Sequence, residues 1–332
     1  MKRNLLVAVA FFATLSANAQ SIAAVSPSNV TTMYQTLDKA VTEADPGSII
    51  YLPGGGFNIS DDTKIEKRLT IMGISHRGDT DNADGATVIA GSLNFEKGSS
   101  GSSVIGAFIS GNINVGTEED EVTNLTVRFC NVNSIQVKNA ASSGMIVSQC
   151  YLRNTSKFLG CNATLENNII HSICDVNGGS IKYNVIVSSG EYRRGEYGFS
   201  GRYDIYGAAI VAYNSTINYN VICYGGTLLQ GSGCLIYNNM TTQDWGDNPV
   251  TLSNVEWNDV FSKYNNGVIT PASNFHFQGD YVQYEGIIGI YGGSSFKDDK
   301  SLAPIPRIVS KKVNEHTDSS GNLHIEISVK AE

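Results

Sequence analysis

Val127-Arg128-Phe129-Cys130-Asn131-Val132 and Val147-Ser148-Gln149-Cys150-Tyr151-Leu152 are two copies of one short phrase. It recurs as Leu165-Glu166-Asn167-Asn168-Ile169-Ile170 and Ile181-Lys182-Tyr183-Asn184-Val185-Ile186. After an interruption it returns as Ile217-Asn218-Tyr219-Asn220-Val221-Ile222 and Leu235-Ile236-Tyr237-Asn238-Asn239-Met240. The fourth position of each copy gives the anchors Cys130, Cys150, Asn168, Asn184, Asn220 and Asn238, separated by 20, 18, 16, 36 and 18 residues. A period near 18 with one doubled step is too short for stacked helical repeats. It fits one turn of a parallel β-solenoid.

The alternation inside each phrase places apolar residues on one face of a strand. One turn cannot bury that face alone. Stacked turns lie about 4.8 Å apart, pair their backbones with their neighbours and set like residues over like. Asparagine at a sharp bend tolerates left-handed backbone angles and hydrogen-bonds along the stack, so Asn168, Asn184, Asn220 and Asn238 are expected to form a ladder.

Three further segments carry a resemblance. The first is Tyr34-Gln35-Thr36-Leu37 with Ala40-Val41 and Pro46-Gly47-Ser48-Ile49-Ile50-Tyr51-Leu52-Pro53-Gly54; the second is Arg68-Leu69-Thr70-Ile71-Met72-Gly73. The third is Ile287-Ile288-Gly289-Ile290-Tyr291-Gly292-Gly293, followed by Thr317-Asp318-Ser319-Ser320-Gly321-Asn322-Leu323. With the repeats, they resemble secreted proteins of the pectin-lyase-like superfamily, of the kind abundant in gut Bacteroidetes. The resemblance implies an all-β, right-handed parallel β-helix with an N-terminal helical cap and a C-terminal strand appendage. It speaks to fold more than to reaction. The Gly-His-Gly and Arg-Ile-Lys motifs of polygalacturonases and the Trp-Ile-Asp-His of pectate lyases are absent, and Asp61-Asp62 and Asp298-Asp299 lie outside the central coils. No catalytic residue is carried over by motif.

Residues 1–19 read as an export signal: Lys2 and Arg3, an apolar run, then Ala17-Asn18-Ala19. This places the protein in the periplasm or outside the cell. No later run is long and apolar enough for a membrane-spanning helix. Residues 20–303 are assigned to the β-helix and 304–332 to a linker and hairpin, with strands expected at 309–313 and 323–329. Without Lys2 and Arg3, 21 basic side chains stand against 31 acidic ones, a net charge of −10 with histidine neutral. That balance argues against nucleic acid. It suits a strongly anionic glycan only where positive charge is locally concentrated.

Residues 36–44 pattern as a short amphipathic helix, read as a cap over the exposed end of the axis. The acidic loop at 76–85 lacks the spacing of a helix–loop–helix calcium site, so calcium is unsupported and no cofactor is implied. The six cysteines, at 130, 150, 161, 174, 223 and 234, are read as buried thiols, because side chains stacked in parallel are poorly aimed for a disulfide. Past Pro249 the aromatic-rich stretch is expected to form a lid over the open end.

Function is expected at the interruption between Asn184 and Asn220. Its residues include Glu191, Tyr192, Arg193, Arg194, Glu196, Tyr197, Arg202, Tyr203 and Asp204. Placing strands around the turn sets this insertion between the third strand of one coil, Val185-Ile186-Val187, and the first of the next, Ala209-Ile210-Val211; in the related lyases, loops at that corner wall a sugar-binding groove. Two coils on, the same corner carries Gln243-Asp244-Trp245-Gly246-Asp247, roughly 10 Å away by strand spacing. Tyr192, Tyr197, Tyr203 and Trp245 offer ring faces to sugars, with Asp244 beside them. Arg193, Arg194 and Arg202 suit carboxylate binding and stabilisation of a lyase's developing enolate. Glu191, Glu196, Asp204 and Asp244 are the candidates for a two-carboxylate hydrolase. Lys157, Asp175, Asn177 and Gln230 are expected to floor the groove; His171 near Asp175 carries little weight. The competing reading pairs these charges with one another on a surface loop. The partner is then a polysaccharide met by a lyase or glycosidase, or by a non-catalytic carbohydrate-binding or surface-interaction protein.

Overall fold

The repeated phrases stack as their spacing demands. A computed structural model of the chain describes residues 21–77, 85–188, 190–194, 204–253, 255–264, 269, 273–296, 307–313, 320–323 and 325–330. Three sheets run along one axis, with eleven strands in sheet A, ten in sheet B and eight in sheet C. Sheet A runs from Ile22–Val25 and Thr31–Tyr34 to Leu235–Tyr237, sheet B from Gly55–Asn58 to Val250–Thr251, and sheet C from Lys64–Ile65 to Leu229–Gln230. Each strand pairs with the strands one turn before and after it. All of these pairings are parallel except the two made by Ile22–Val25. The chain is an all-β solenoid. Val127, Val147, Leu165 and Ile181 from sheet A meet Val132, Leu152, Ile170 and Ile186 from sheet B and Ile135, Ile173 and Ile210 from sheet C, all fully buried.

The corner from sheet A to sheet B takes two residues. The first adopts left-handed backbone angles, at Phe129, Gln149, Asn167, Tyr183, Tyr219 and Asn238 in turn (φ 52–58°, 55° at Asn238). The second carries the ladder. Asn184 Oδ1 accepts from Asn168 N and Nδ2, both at 3.0 Å, while its own N and Nδ2 donate to Asn220 Oδ1 at 3.0 and 2.9 Å. The last asparagine is Asn239, not the expected Asn238: Asn239 Oδ1 accepts from Asn220 N at 2.9 Å and Nδ2 at 3.0 Å. Pairing of Ile217 with Ile236 sets this register and leaves Asn238 in the left-handed seat. Cys130 and Cys150 begin the ladder, and Cys150 Sγ donates to Ser148 O and Val127 O at 3.2 and 3.5 Å. None of the six cysteines is bridged, and five are buried. Burial pushes the thiols of Cys161 and Cys174 up to about 11 and about 12.

At the N-terminal end, helix Leu37–Glu43 buries Leu37, Ala40 and Val41 in the same core. Thr36 accepts from Lys39 N at 3.3 Å as its N-cap. Asp38 accepts from Ser60 N at 2.9 Å and from the Thr63 hydroxyl, tying the helix to the first coil.

The described residues of the aromatic-rich stretch pack on a flank of the solenoid instead of the expected open end. Its buried members Trp257, Phe261, Phe275, Phe277, Ile290 and Phe296 pack on the flank formed by Tyr151, Ile169, Val185, Val221 and Met240, the outward positions of sheet B. Sheet B strands such as Ile169–Ile170 and Val185–Ile186 are apolar on both faces, the signature of a parallel sheet covered on both sides. Arg307–Val313 and Ile325–Lys330 pair antiparallel, where strands are expected at 309–313 and 323–329. Among the described residues no helix is long and apolar enough to cross a membrane. Residues 1–19 and the acidic segment 78–84 lie outside the described residues.

His76 is buried with no partner for Nδ1 and meets the Tyr151 ring edge-on, with centroids 5.2 Å apart. Burial, aided by the Arg77 charge, lowers its pKa from 6.5 to about 3. Below pH 6.5 the unfolded chain takes up a proton that the folded chain refuses, so stability falls toward about pH 3. We expect His76→Phe to remove a loss of up to about 1.4 kcal/mol per pH unit from urea-unfolding curves across that window. Identical curves for both proteins count against a neutral buried imidazole.

Candidate functional site

The interruption is a β-hairpin. Gly190–Arg194 runs antiparallel to Asp204–Ala208, leaving the chain after the sheet B strand Val185–Ile186 and rejoining it at the sheet C strand Ile210–Tyr213. Glu191 stands opposite Gly207, Tyr192 opposite Tyr206, Arg193 opposite Ile205 and Arg194 opposite Asp204. Its strands adjoin Ile173–Asn177 and Leu229–Gln230 of sheet C. Glu196, Tyr197, Arg202 and Tyr203 lie outside the described residues.

Read outward along sheet C, one column runs Lys64, Asn94, Asn114, Gln136, Lys157, Cys174; past an irregularity of the Ile173–Asn177 strand, Val211 and Gln230 follow as a pair. Lys157 and Gln230 both face outward and are half-buried, but Cys174 and Val211 separate them. Those two pack with Ala208, at the base of the hairpin, in a small buried cluster. The hairpin base therefore covers the expected floor between Lys157 and Gln230. Asp175 is buried, in left-handed conformation, at an irregularity of the strand; Asn177 is exposed and accepts from Asn214 Nδ2 at 3.0 Å. His171 follows the sheet B strand Ile169–Ile170, and partial burial lowers its pKa.

On the N-terminal side of the hairpin, sheet C remains open and amide-rich. Asn114 Nδ2 donates to Asn94 Oδ1 at 2.7 Å, and Gln136 Nε2 to Ser134 Oγ at 2.7 Å. Beside this column a second ladder climbs the neighbouring corner: Asn133 Nδ2 donates to Asn112 Oδ1 at 2.8 Å and Asn154 Nδ2 to Asn133 Oδ1 at 2.6 Å.

The Gln243-to-Asp247 corner is placed differently from expectation. It leaves the sheet B strand Met240–Thr241, but Asp247 then bridges Tyr237 of sheet A, and among the described residues no sheet C strand follows. Trp245 is partly buried against the main core, along with Leu229, Cys234 and Ile236, while Asp244 is exposed. This corner closes the last coil instead of bordering sheet C. Among the described residues no cluster of His, Cys, Asp and Glu could hold a metal ion.

Comparison of the chain with protein-family models, curated proteins and solved structures gives no match.

A second polar surface, not singled out from the sequence, lies on sheet A. Its outward column runs Arg128, Ser148, Glu166, Lys182 in successive turns. These are the second positions of the opening phrases, so the column was present in the repeat itself. Thr126, Arg128, Ile146, Ser148, Gln149, Glu166, Asn167 and Ser294 line a shallow groove there. Its wall is Ser294, from the segment 287–296, which is held by Asn167 Nδ2 on Ile290 O and Gly292 O, both at 2.7 Å.

Proposed function

We propose that this is an exported right-handed parallel β-helix of the pectin-lyase-like kind that engages hydroxyl-rich polysaccharides along the open part of sheet C. The observation that supports this reading is the amide column Asn94, Asn114, Gln136 with its neighbour Asn112, Asn133, Asn154. Amides present donors and acceptors together, and here they repeat once per turn, about every 4.8 Å, a step close to that of successive sugars in an extended chain. Between Lys64 and Lys157, which flank them in the same column, the three amides are uncharged and ask for hydroxyls before anions. Affinity electrophoresis through gels containing neutral or uronate polysaccharides tests it. Retardation by at least one polymer, weakened in the Asn114→Ala/Gln136→Ala double variant, is expected; free migration in every gel removes the reading.

The catalytic form of this reading, a lyase or glycosidase, rests on the hairpin, where Arg193, Arg194, Glu191 and Asp204 are brought beside sheet C. Unsaturated product from a uronate polymer, lost when Arg193, Arg194 and Arg202 become alanine, supports a lyase; new reducing ends without unsaturation support a glycosidase. Retardation with neither product leaves a non-catalytic carbohydrate-binding protein.

A further inference from the structure

The groove on sheet A lies on a different sheet from the amide columns. At one end Arg128 is exposed, with its guanidinium 5.3 Å from the centre of the Phe129 ring. Among the described residues it makes no ion pair. Two turns along, Glu166 is held by Lys182 at 3.5 Å and by the Ser294 hydroxyl at 3.4 Å. Ser148 stands between the two ends, while Ile146, 45% exposed, and Thr126 form the adjacent column. Asn167 lines the same groove; its Nδ2 is committed to the wall, but its Oδ1 is buried and has no hydrogen-bond partner.

We propose that this groove binds a uronate residue of an acidic oligosaccharide, with Arg128 holding the sugar carboxylate. The charges decide the class of ligand. Glu166 and Lys182 neutralise each other, which leaves a single positive charge at Arg128. That suits a monoanion better than a phosphate or sulfate cluster. Guanidinium binds a carboxylate through two parallel hydrogen bonds, and its position over Phe129 limits the freedom lost on binding. Ile146 supplies an apolar surface for the C–H face of a pyranose, and Ser148, Thr126 and Glu166 supply partners for its hydroxyls. Arg128 and Glu166 are roughly 10 Å apart along the sheet, so the groove spans about two sugars. A local positive centre also answers how an acidic chain meets an acidic glycan. This inference rests on the glycan reading above but uses a different face.

The test is titration calorimetry of the intact protein with tetragalacturonate, tetramannuronate, a neutral galactose tetrasaccharide and a tetra-aspartate peptide. Arg128 is exposed, so Arg128→Ala is expected to leave the unfolding midpoint unchanged. It should weaken binding of at least one uronate tetramer tenfold or more, the scale of a lost charge-assisted pair. Neutral-tetramer binding should not change, and Arg128→Lys should restore part of the loss. The inference is overturned if uronates bind Arg128→Ala as they bind the parent, or if the peptide binds as well as the uronates. It is also overturned if no uronate tetramer binds. The glycan reading itself survives any of these results provided the parent is still retarded by polysaccharide gels and the Asn114→Ala/Gln136→Ala variant is not.

Discussion

Asn184→Ala is expected to cost about 3–5 kcal/mol of unfolding free energy, at the upper end for a single substitution. The residue is fully buried, and its side chain works in both directions along the stack. Oδ1 accepts from Asn168 N and Nδ2, while Nδ2 donates to Leu165 O at 2.9 Å and Lys182 O at 3.0 Å besides Asn220. Alanine leaves Asn168 N–H without its acceptor and opens a polar void where water has no ready path. Unpaired buried groups cost more than paired ones contribute, so the loss exceeds what one average hydrogen bond is worth. Asn184→Cys should fall between alanine and the parent. At Cys150 a thiol already donates to the equivalent corner carbonyl, Ser148 O, at 3.2 Å, but it supplies no comparable acceptor. Urea denaturation with an unchanged m value reads the difference. A loss below about 1 kcal/mol for alanine means that the ladder only decorates a corner already fixed by backbone pairing.

That ladder marks how much of the fold could be read from the sequence. The repeat of Leu165, Ile181 and Ile217, with an asparagine three residues after each, specified parallel stacking because burial and hydrogen bonding both recur with it. The slip at Asn238 arose where two adjacent asparagines fit the corner equally well locally. Long-range pairing of Ile217 with Ile236 chose between them. The flanking cover was harder to place. Tyr151, Ile169, Val185 and Val221 declare that sheet B is covered on its outer face, but not by which later segment. The insertion after Ile186 lies at the sheet B to sheet C corner, where the order of strands around the turn puts it; the doubled spacing alone says only that it falls between Asn184 and Asn220. Its relation to Lys157 and Gln230 was not readable, because Cys174 and Val211 become buried only when Ala208 folds over them. Arg128, Ser148, Glu166 and Lys182 are hard to single out in the sequence for a different reason. As single residues they look like ordinary solvent-facing positions, and only the register makes them a column.

Asn167→Asp should release the wall of the sheet A groove in a pH-dependent way. Asn167 sits in a left-handed corner at φ 53°, fully buried, and its amide nitrogen is the donor to Ile290 O and Gly292 O. Aspartate tolerates the same backbone angles, so the corner is kept while the donor is lost. A carboxylate facing two carbonyl oxygens in a dry site is disfavoured, which raises its pKa in the folded state. The protonated acid can donate one hydrogen bond. Docking is therefore largely retained below the ordinary carboxylate range and lost as pH rises through the raised value, at a cost of about 3–5 kcal/mol to the docked segment. Asn167→Gly keeps the left-handed corner without strain and removes the amide, so it should loosen the wall at every pH. The core strands do not depend on this contact, whereas residues 287–296 do. Tyr219 O accepts from Gly289 N at 2.8 Å, Ser295 O accepts from Gln149 Nε2 at 2.9 Å, and Gly292 lies so close to the Tyr183 ring that an added Cβ would come within 2.4 Å of it. Loss of the central clamp should raise hydrogen exchange across 287–296 while protection at Leu165, Ile181 and Ile217 stays as in the parent. Protection in this segment that equals the parent's for Asn167→Asp at both about pH 5 and about pH 8, after correction for the intrinsic pH dependence of exchange, would show that the two carbonyls do not depend on the amide.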